Sequence, residues 1–150
     1  MSELDTAILS QLQLNARSTN RAIADAVRVA PSTCLERIRS LRRRGVILGY
    51  HADADLNALG RTVQALIAVR VRPPSRTNIE GFRDWVRELP EVVGLFVVSG
   101  DSDFLVHVAV PDTDALYAFV IDRLTERSEV ADVNTSVVYE HLRSFVVEPL

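Results

Sequence analysis

The spacing of apolar residues changes period near Arg61, and few folds accommodate that change. Up to Arg44 the apolar positions recur every three or four residues, as along one side of a helix. They are Leu4, Ile8 and Leu12, then Ala22, Ile23, Ala26 and Val27, then Cys34, Leu35, Ile38 and Leu41. From Val63 they alternate instead through Ala65, Ile67, Val69 and Val71, the period of a strand with one face buried. The chain therefore reads as a helical front joined to a mixed second half.

The front predicts three helices: about Leu4 to Leu14, a short one after Thr19, and one from Pro31 to about Arg44 that Gly45 ends. Val46 to His51 predicts a short strand, and Ala52 to Arg61 a linker with one helical turn. The second half predicts a strand from Val63 to Arg72, a helix from Asn78 to Leu89, and strands Val92 to Ser99 and Phe104 to Val110. A helix from Asp112 to Arg127, a strand from Val133 to Tyr139 and an edge at Phe145 to Val147 follow. This β-α-β-β-α-β order is that of a ferredoxin-like sandwich, so the fold class is α+β. The expected domains are 1–50, a linker at 51–61, and 62–150. Two helices cover one face of a four-stranded sheet, yet Val92, Phe96 and Val98 alternate with Val93, Leu95 and Val97. The helix-free face is accordingly expected to be buried by a second subunit.

Charge divides along the same boundary. Residues 1–50 carry 8 Arg and 4 acids; residues 51–150 carry 9 Arg and 16 acids. A basic front beside an acidic back implies different partners, with a polyanion for the front. The third helix concentrates the effect. Ser32, Thr33, Glu36, Arg37, Ser40, Arg43 and Arg44 occupy the side opposite the apolar stripe. A helix of this kind after a short helix and the turn Arg28-Val29-Ala30 has the geometry of one that enters the major groove of duplex DNA. Its hydroxyls and arginines reach phosphates and base edges.

The run Pro31-Ser32-Thr33-Cys34-Leu35-Glu36-Arg37-Ile38-Arg39-Ser40-Leu41, followed by Gly45-Val46-Ile47 and Gly49-Tyr50, resembles the recognition helix and wing of the Lrp/AsnC family. Leu4-Asp5 with Ile8-Leu9, Asn15-Ala16-Arg17, and Ser99-Gly100-Asp101-Ser102-Asp103 extend the resemblance over essentially the whole chain. It implies a winged helix-turn-helix, a regulator dimerising through its C-terminal domain, and frequent assembly into octamers. Two positions depart from the pattern: Arg28 stands where the family commonly has Gly, and Ala30 where a Ser commonly caps the recognition helix. Arg28 is itself a candidate phosphate contact.

Gly100-Asp101-Ser102-Asp103 reads first as a hairpin turn. The resemblance adds an effector site there, with Ser99, Gly100, Asp101 and Asp103 receiving an amino acid and Thr135 and Ser136 as hydroxyl partners. His51, His107 and His141 lack metal-ligand spacing, so no metal or cofactor is expected. His107 reads as a packed or interface histidine, Cys34 as a buried packing residue, and Trp85 as core or rim. With one cysteine no internal disulfide forms. No apolar run spans a bilayer, and Met1 to Gln11 has no basic leader, so a cytoplasmic protein with no membrane partner is expected. The function expected is an effector-responsive, sequence-specific transcriptional regulator. The alternatives are an architectural DNA-binding protein without ligand and a small enzyme on the ferredoxin-like domain. For the enzyme no nucleophile–base pair or phosphate loop can be assembled.

Overall fold

The structure, a computed structural model, describes residues 1–150. It divides into two compact units, Met1–Asp53 together with Leu142–Leu150, and Ala54–His141. In the first unit, α1 spans Glu3–Leu14, α2 Asn20–Ala26 and α3 Pro31–Arg43. Ser2 caps α1 by accepting from the Asp5 N–H at 3.1 Å, and Thr19 caps α2 by accepting from the Ala22 N–H at 3.1 Å. Ala30 gives α3 no side-chain cap, and Pro31 occupies its first turn. The Asn20 side-chain amide, donating to the Pro31 carbonyl at 2.7 Å, stitches the starts of α2 and α3 together instead.

Arg28 takes φ 58° between α2 and α3, so an arginine carries the left-handed conformation a glycine would adopt without strain. At the other end of α3, Gly45 has φ 70°. Its N–H donates to the Arg42 carbonyl and the Val46 N–H to the Leu41 carbonyl, at 3.0 and 2.9 Å. This pair of bonds is a Schellman closure. Ile8, Leu12, Ile23, Ala24, Cys34 and Leu41 are buried together as the core of this unit. Leu35, expected on the buried stripe, is exposed.

Two expected strands do not form. Val46 to His51 has no ladder partner in the chain, and Val46 and Ile47 are drawn to the Leu41 carbonyl. Phe145 to Val147 does not edge the sheet either. The Gln13 side chain donates to the Val147 carbonyl at 3.0 Å and accepts from the Val147 N–H at 2.9 Å. The backbone groups a ladder requires are thus occupied by a side chain.

The second unit contains β1 Val63–Val71, α4 Arg76–Val86, β2 Val92–Val97, β3 Phe104–Val110, α5 Thr113–Ala118 and β4 Val130–Val138. The sheet is antiparallel in the order β2-β3-β1-β4. Ser75 caps α4 through the Asn78 N–H, and Asp112 caps α5 through the Ala115 N–H. The expected continuous helix after Asp112 instead passes into a π-helical turn at Phe119–Leu124, where the Thr125 N–H donates to the Val120 carbonyl five residues back. Phe119 and Leu124 are both buried. Five residues exceed an α-helical turn of 3.6 but match one π turn, which brings both side chains onto the sheet.

Ala65, Ile67, Val69 and Val71 of β1 and Phe104, Val106, Val108 and Val110 of β3 pack against Phe82, Val86, Leu116, Phe119 and Leu124. The opposite face carries Leu66 and His107, which are paired across β1 and β3, and Phe96, paired with Leu105. No helix is long and apolar enough to cross a membrane.

Candidate functional site

The outward residues of α3 converge. Ser32, Thr33, Glu36, Arg37 and Ser40 line one shallow open groove, as positions three and four residues apart on a helix share one side. Pro31 starts the helix without donating an N–H, and no side chain caps the first turn, so the Ser32 and Thr33 N–H groups add positive potential at this end. Arg28 is exposed in the preceding turn. Arg43 lies beside the groove but donates to Glu36 at 3.2 Å, a pair in which both side chains are solvent-exposed.

Arg37 and Arg44 are tied to a residue that the sequence reading did not place in the site. Asp5 has a side chain only 4% exposed, with Arg44 Nη1 3.2 Å from Oδ2 and Arg37 Nη1 3.7 Å from Oδ1. Burial works to raise the Asp5 carboxyl. The hydrogen bond from Arg44, the polar groups of Ser2 nearby and the charge of Arg37 outweigh it, and the group titrates below its ordinary value. The signal was present in the sequence: Asp5, Ile8 and Leu12 share the buried side of α1, and an acid on such a stripe requires a cationic partner.

The turn between β2 and β3 is held by its own chain. Gly100 has φ 107°. The Asp101 carbonyl accepts from the Arg70 guanidinium, through Nε at 2.7 Å and through Nη2. Asp103 Oδ2 accepts from the Val71 N–H at 2.7 Å and from Arg72 Nη1 at 3.3 Å. The Asp103 carboxylate, expected to receive an effector ammonium, thus already joins β1 to the turn. Ser99, Gly100 and Asp101 are exposed. Thr135 and Ser136 lie on β4 opposite Ile67 and Leu66, while the turn lies by Arg70 and Val71. Being adjacent on a strand, they point to opposite faces. One chain does not gather these hydroxyls with the turn.

On the helix-free face, a cavity of about 260 Å³ is lined by Leu66, Phe96, His107, Val138, Glu140 and His141. His107 Nε2 lies 2.9 Å from Gln64 Oε1, and its ring meets His141 edge-on at 5.6 Å. Burial first, and the charge of His141 second, push its pKa below the ordinary histidine value. Trp85 packs beside Phe82 at 5.7 Å under the Arg127 guanidinium.

Because the Asp5 pKa is lowered on folding, the stability it contributes is complete above the ordinary value of 3.8 and is lost as pH falls through the lower folded value. Asp5→Asn is expected to destabilise the protein by about 1–3 kcal/mol at pH 7, since Arg44 loses a charged acceptor. Urea titrations at descending pH check this. The gap between wild type and variant narrows in acid, and a gap independent of pH contradicts the assignment.

Two family models match the chain: "winged helix-turn-helix DNA-binding" over residues 1–47 and "Lrp/AsnC ligand binding domain" over residues 64–145. The HTH-type transcriptional regulator AldR of Mycobacterium tuberculosis is 41% identical over 143 residues, covering 95% of this chain and 80% of the relative. The leucine-responsive regulatory protein of Escherichia coli is 31% identical, covering 95% and 87%. Among solved structures, a transcriptional regulator of Neisseria meningitidis in complex with L-Met superposes with a TM-score of 0.89 at 31% identity, over 96% of this chain and 93% of that one. The helical triad with its basic groove and the four-stranded sheet with its Gly100 turn are therefore the two halves of a DNA-binding transcriptional regulator with a ligand-binding domain, and the chain belongs to the Lrp/AsnC family.

Proposed function

We propose that this regulator reads a specific operator with the outer face of α3 and that a small amino acid, received near the Gly100 turn, controls its assembly on DNA. The observation that carries the first half is the single groove shared by Ser32, Thr33, Glu36, Arg37 and Ser40. Ser32 and the exposed Arg28 meet phosphates, which fixes the docking, while Thr33 faces base edges beside Arg37. Arg37 meets a base edge, where a guanidinium fork discriminates by about 1–3 kcal/mol. Arg43 and Arg44 add counterion release from the flank. The protein acts in the cytoplasm. Arg37→Ala is expected to weaken binding to DNA selected from a random pool by the wild type, and to relax preference at one base position. Fluorescence anisotropy measures it, and unchanged affinity removes Arg37 from the interface.

Assembly follows from the face of the sheet that no helix covers. Phe96 there is 58% exposed, beside the half-buried Leu66 and Val138, and an exposed aromatic in an apolar patch favours burial against a second copy. The resulting dimer is the unit from which larger rings, octamers among them, are built. Phe96→Asp is expected to convert the dimer to monomer in light scattering at micromolar concentration. A wild type that is already monomeric contradicts the reading.

The effector reading draws support from the ligand-binding family model and from the L-Met named for the Neisseria neighbour. Ser99, Gly100 and Asp101 offer exposed polar groups to an amino acid, and the absence of a side chain at Gly100 leaves the backbone open to a carboxylate. Of the two β4 hydroxyls, Ser136, on the helix-free face with Leu66, enters such a site only from another subunit, and Thr135 points to the other face. One observation favours a purely structural turn, in a DNA-binding protein without ligand: Asp103 is committed to Val71 and Arg72. A thermal-shift screen with the twenty amino acids separates the two. A shift with at least one amino acid, lost in Gly100→Val, is expected; no shift with any supports the architectural alternative.

A further inference from the structure

The two oxygens of Asp5 are used unequally. Oδ2 receives a hydrogen bond from Arg44 at 3.2 Å. Oδ1 is buried and has no hydrogen-bond partner; the cation facing it is Arg37, at 3.7 Å, on a side chain 46% exposed in the α3 groove. Arg37 is therefore held by charge rather than by a bond: Nη1 faces the carboxylate, and the rest of the guanidinium fork remains free to donate into the groove. A guanidinium free to swing pairs with any phosphate, and such pairing is blind to sequence. Reading a base edge requires the planar fork in one orientation.

We propose that Asp5 is a specificity-determining positioning residue, which keeps Arg37 and Arg44 from indiscriminate phosphate pairing and presents Arg37 to a base edge. The inference rests on the α3 groove being the DNA face. Its consequence has a sign that a purely structural role lacks. Neutralising the carboxylate frees two cations on one side of the protein. Affinity for unrelated DNA rises and its salt dependence steepens by about 1–2 in log–log slope. Affinity for the chosen site gains less or falls, because Arg37 is no longer held in place.

The test uses the full chain and two duplexes of equal length, one selected from a random pool by the wild type and one scrambled. Anisotropy across salt concentrations compares wild type, Asp5→Asn, Arg37→Ala, the double variant and Arg44→Met. Asp5→Asn is expected to bind scrambled DNA more tightly and to lower the selected-to-scrambled ratio about five- to tenfold. In the Arg37→Ala background the same change leaves the ratio unaltered. Arg44→Met removes a flanking cation, so both duplexes bind more weakly, but Oδ1 stays beside Arg37, and a ratio lowered as far as in Asp5→Asn overturns the proposal. Weakening of both duplexes alike by Asp5→Asn, or an equal fall in ratio in both backgrounds, overturns it too and leaves Asp5 a structural residue. An Arg37→Ala variant with wild-type affinity and ratio overturns the groove reading and this inference with it. Should Asp5→Asn not fold, Asp5→Glu keeps the charge but displaces the oxygens. Its ratio then falls with scrambled affinity unchanged, and an unaltered ratio overturns the proposal.

Discussion

A carboxylate withdrawn from water remains ionised only where cations or hydrogen-bond donors compensate it, and in this protein Asp5 draws its cations from α3. Its partners are Arg37, in the middle of α3, and Arg44, which caps its C-terminal end about two turns later, while Asp5 itself belongs to the first turn of α1. Satisfying the acid thus ties the C-terminal end of α3 to the start of α1 through the Arg44 hydrogen bond and draws Arg37 to the same carboxylate by charge. Cys34 and Leu41 then face inward and Ser32, Thr33 and Ser40 outward. Apolar packing alone tolerates small rotations of a helix, whereas charge-assisted hydrogen bonds are directional. A reading head needs the second kind of restraint.

The second unit solves a different problem. Its helices cover one face of the sheet, and the core of β1 and β3 residues against α4, α5 and the π turn is complete without a partner. What the fold leaves unfinished is the other face, with Phe96, Leu66 and the His107–His141 pair, and the rim at Gly100. The proposed assembly and ligand response use those two unfinished places. Under that proposal, control of DNA binding reduces to whatever difference in affinity a ligand has for two assembly states.

The sequence was legible where one element carries its own signal. The change of period near Arg61, the cap at Thr19, the helix beginning near Asp112, the stop at Gly45 and the polar side of α3 all depend on residues within a few positions of one another. Each appears in the structure. What was not legible depends on distant partners. Asp5 meets Arg44 across 39 positions, and Asp103 meets Val71 across 32. Gln13 captures Val147 across 134, which removes an expected strand. The strand expected at Val46 to His51 fails for the converse reason, since an extended run of good composition is no strand until something pairs with it. The π turn was hidden because one shifted hydrogen-bond register leaves the apolar pattern nearly helical.

The central claim is that the α3 groove, oriented by Asp5, lies against base edges. Placing a photoreactive amino acid at Thr33, with a control at exposed Asp114 on α5, tests it most directly on selected duplex DNA. The account predicts crosslinks from position 33 to bases of the selected site and none from position 114. Crosslinks from 33 confined to sugars and phosphates of any duplex, or no more frequent than those from 114, would contradict it.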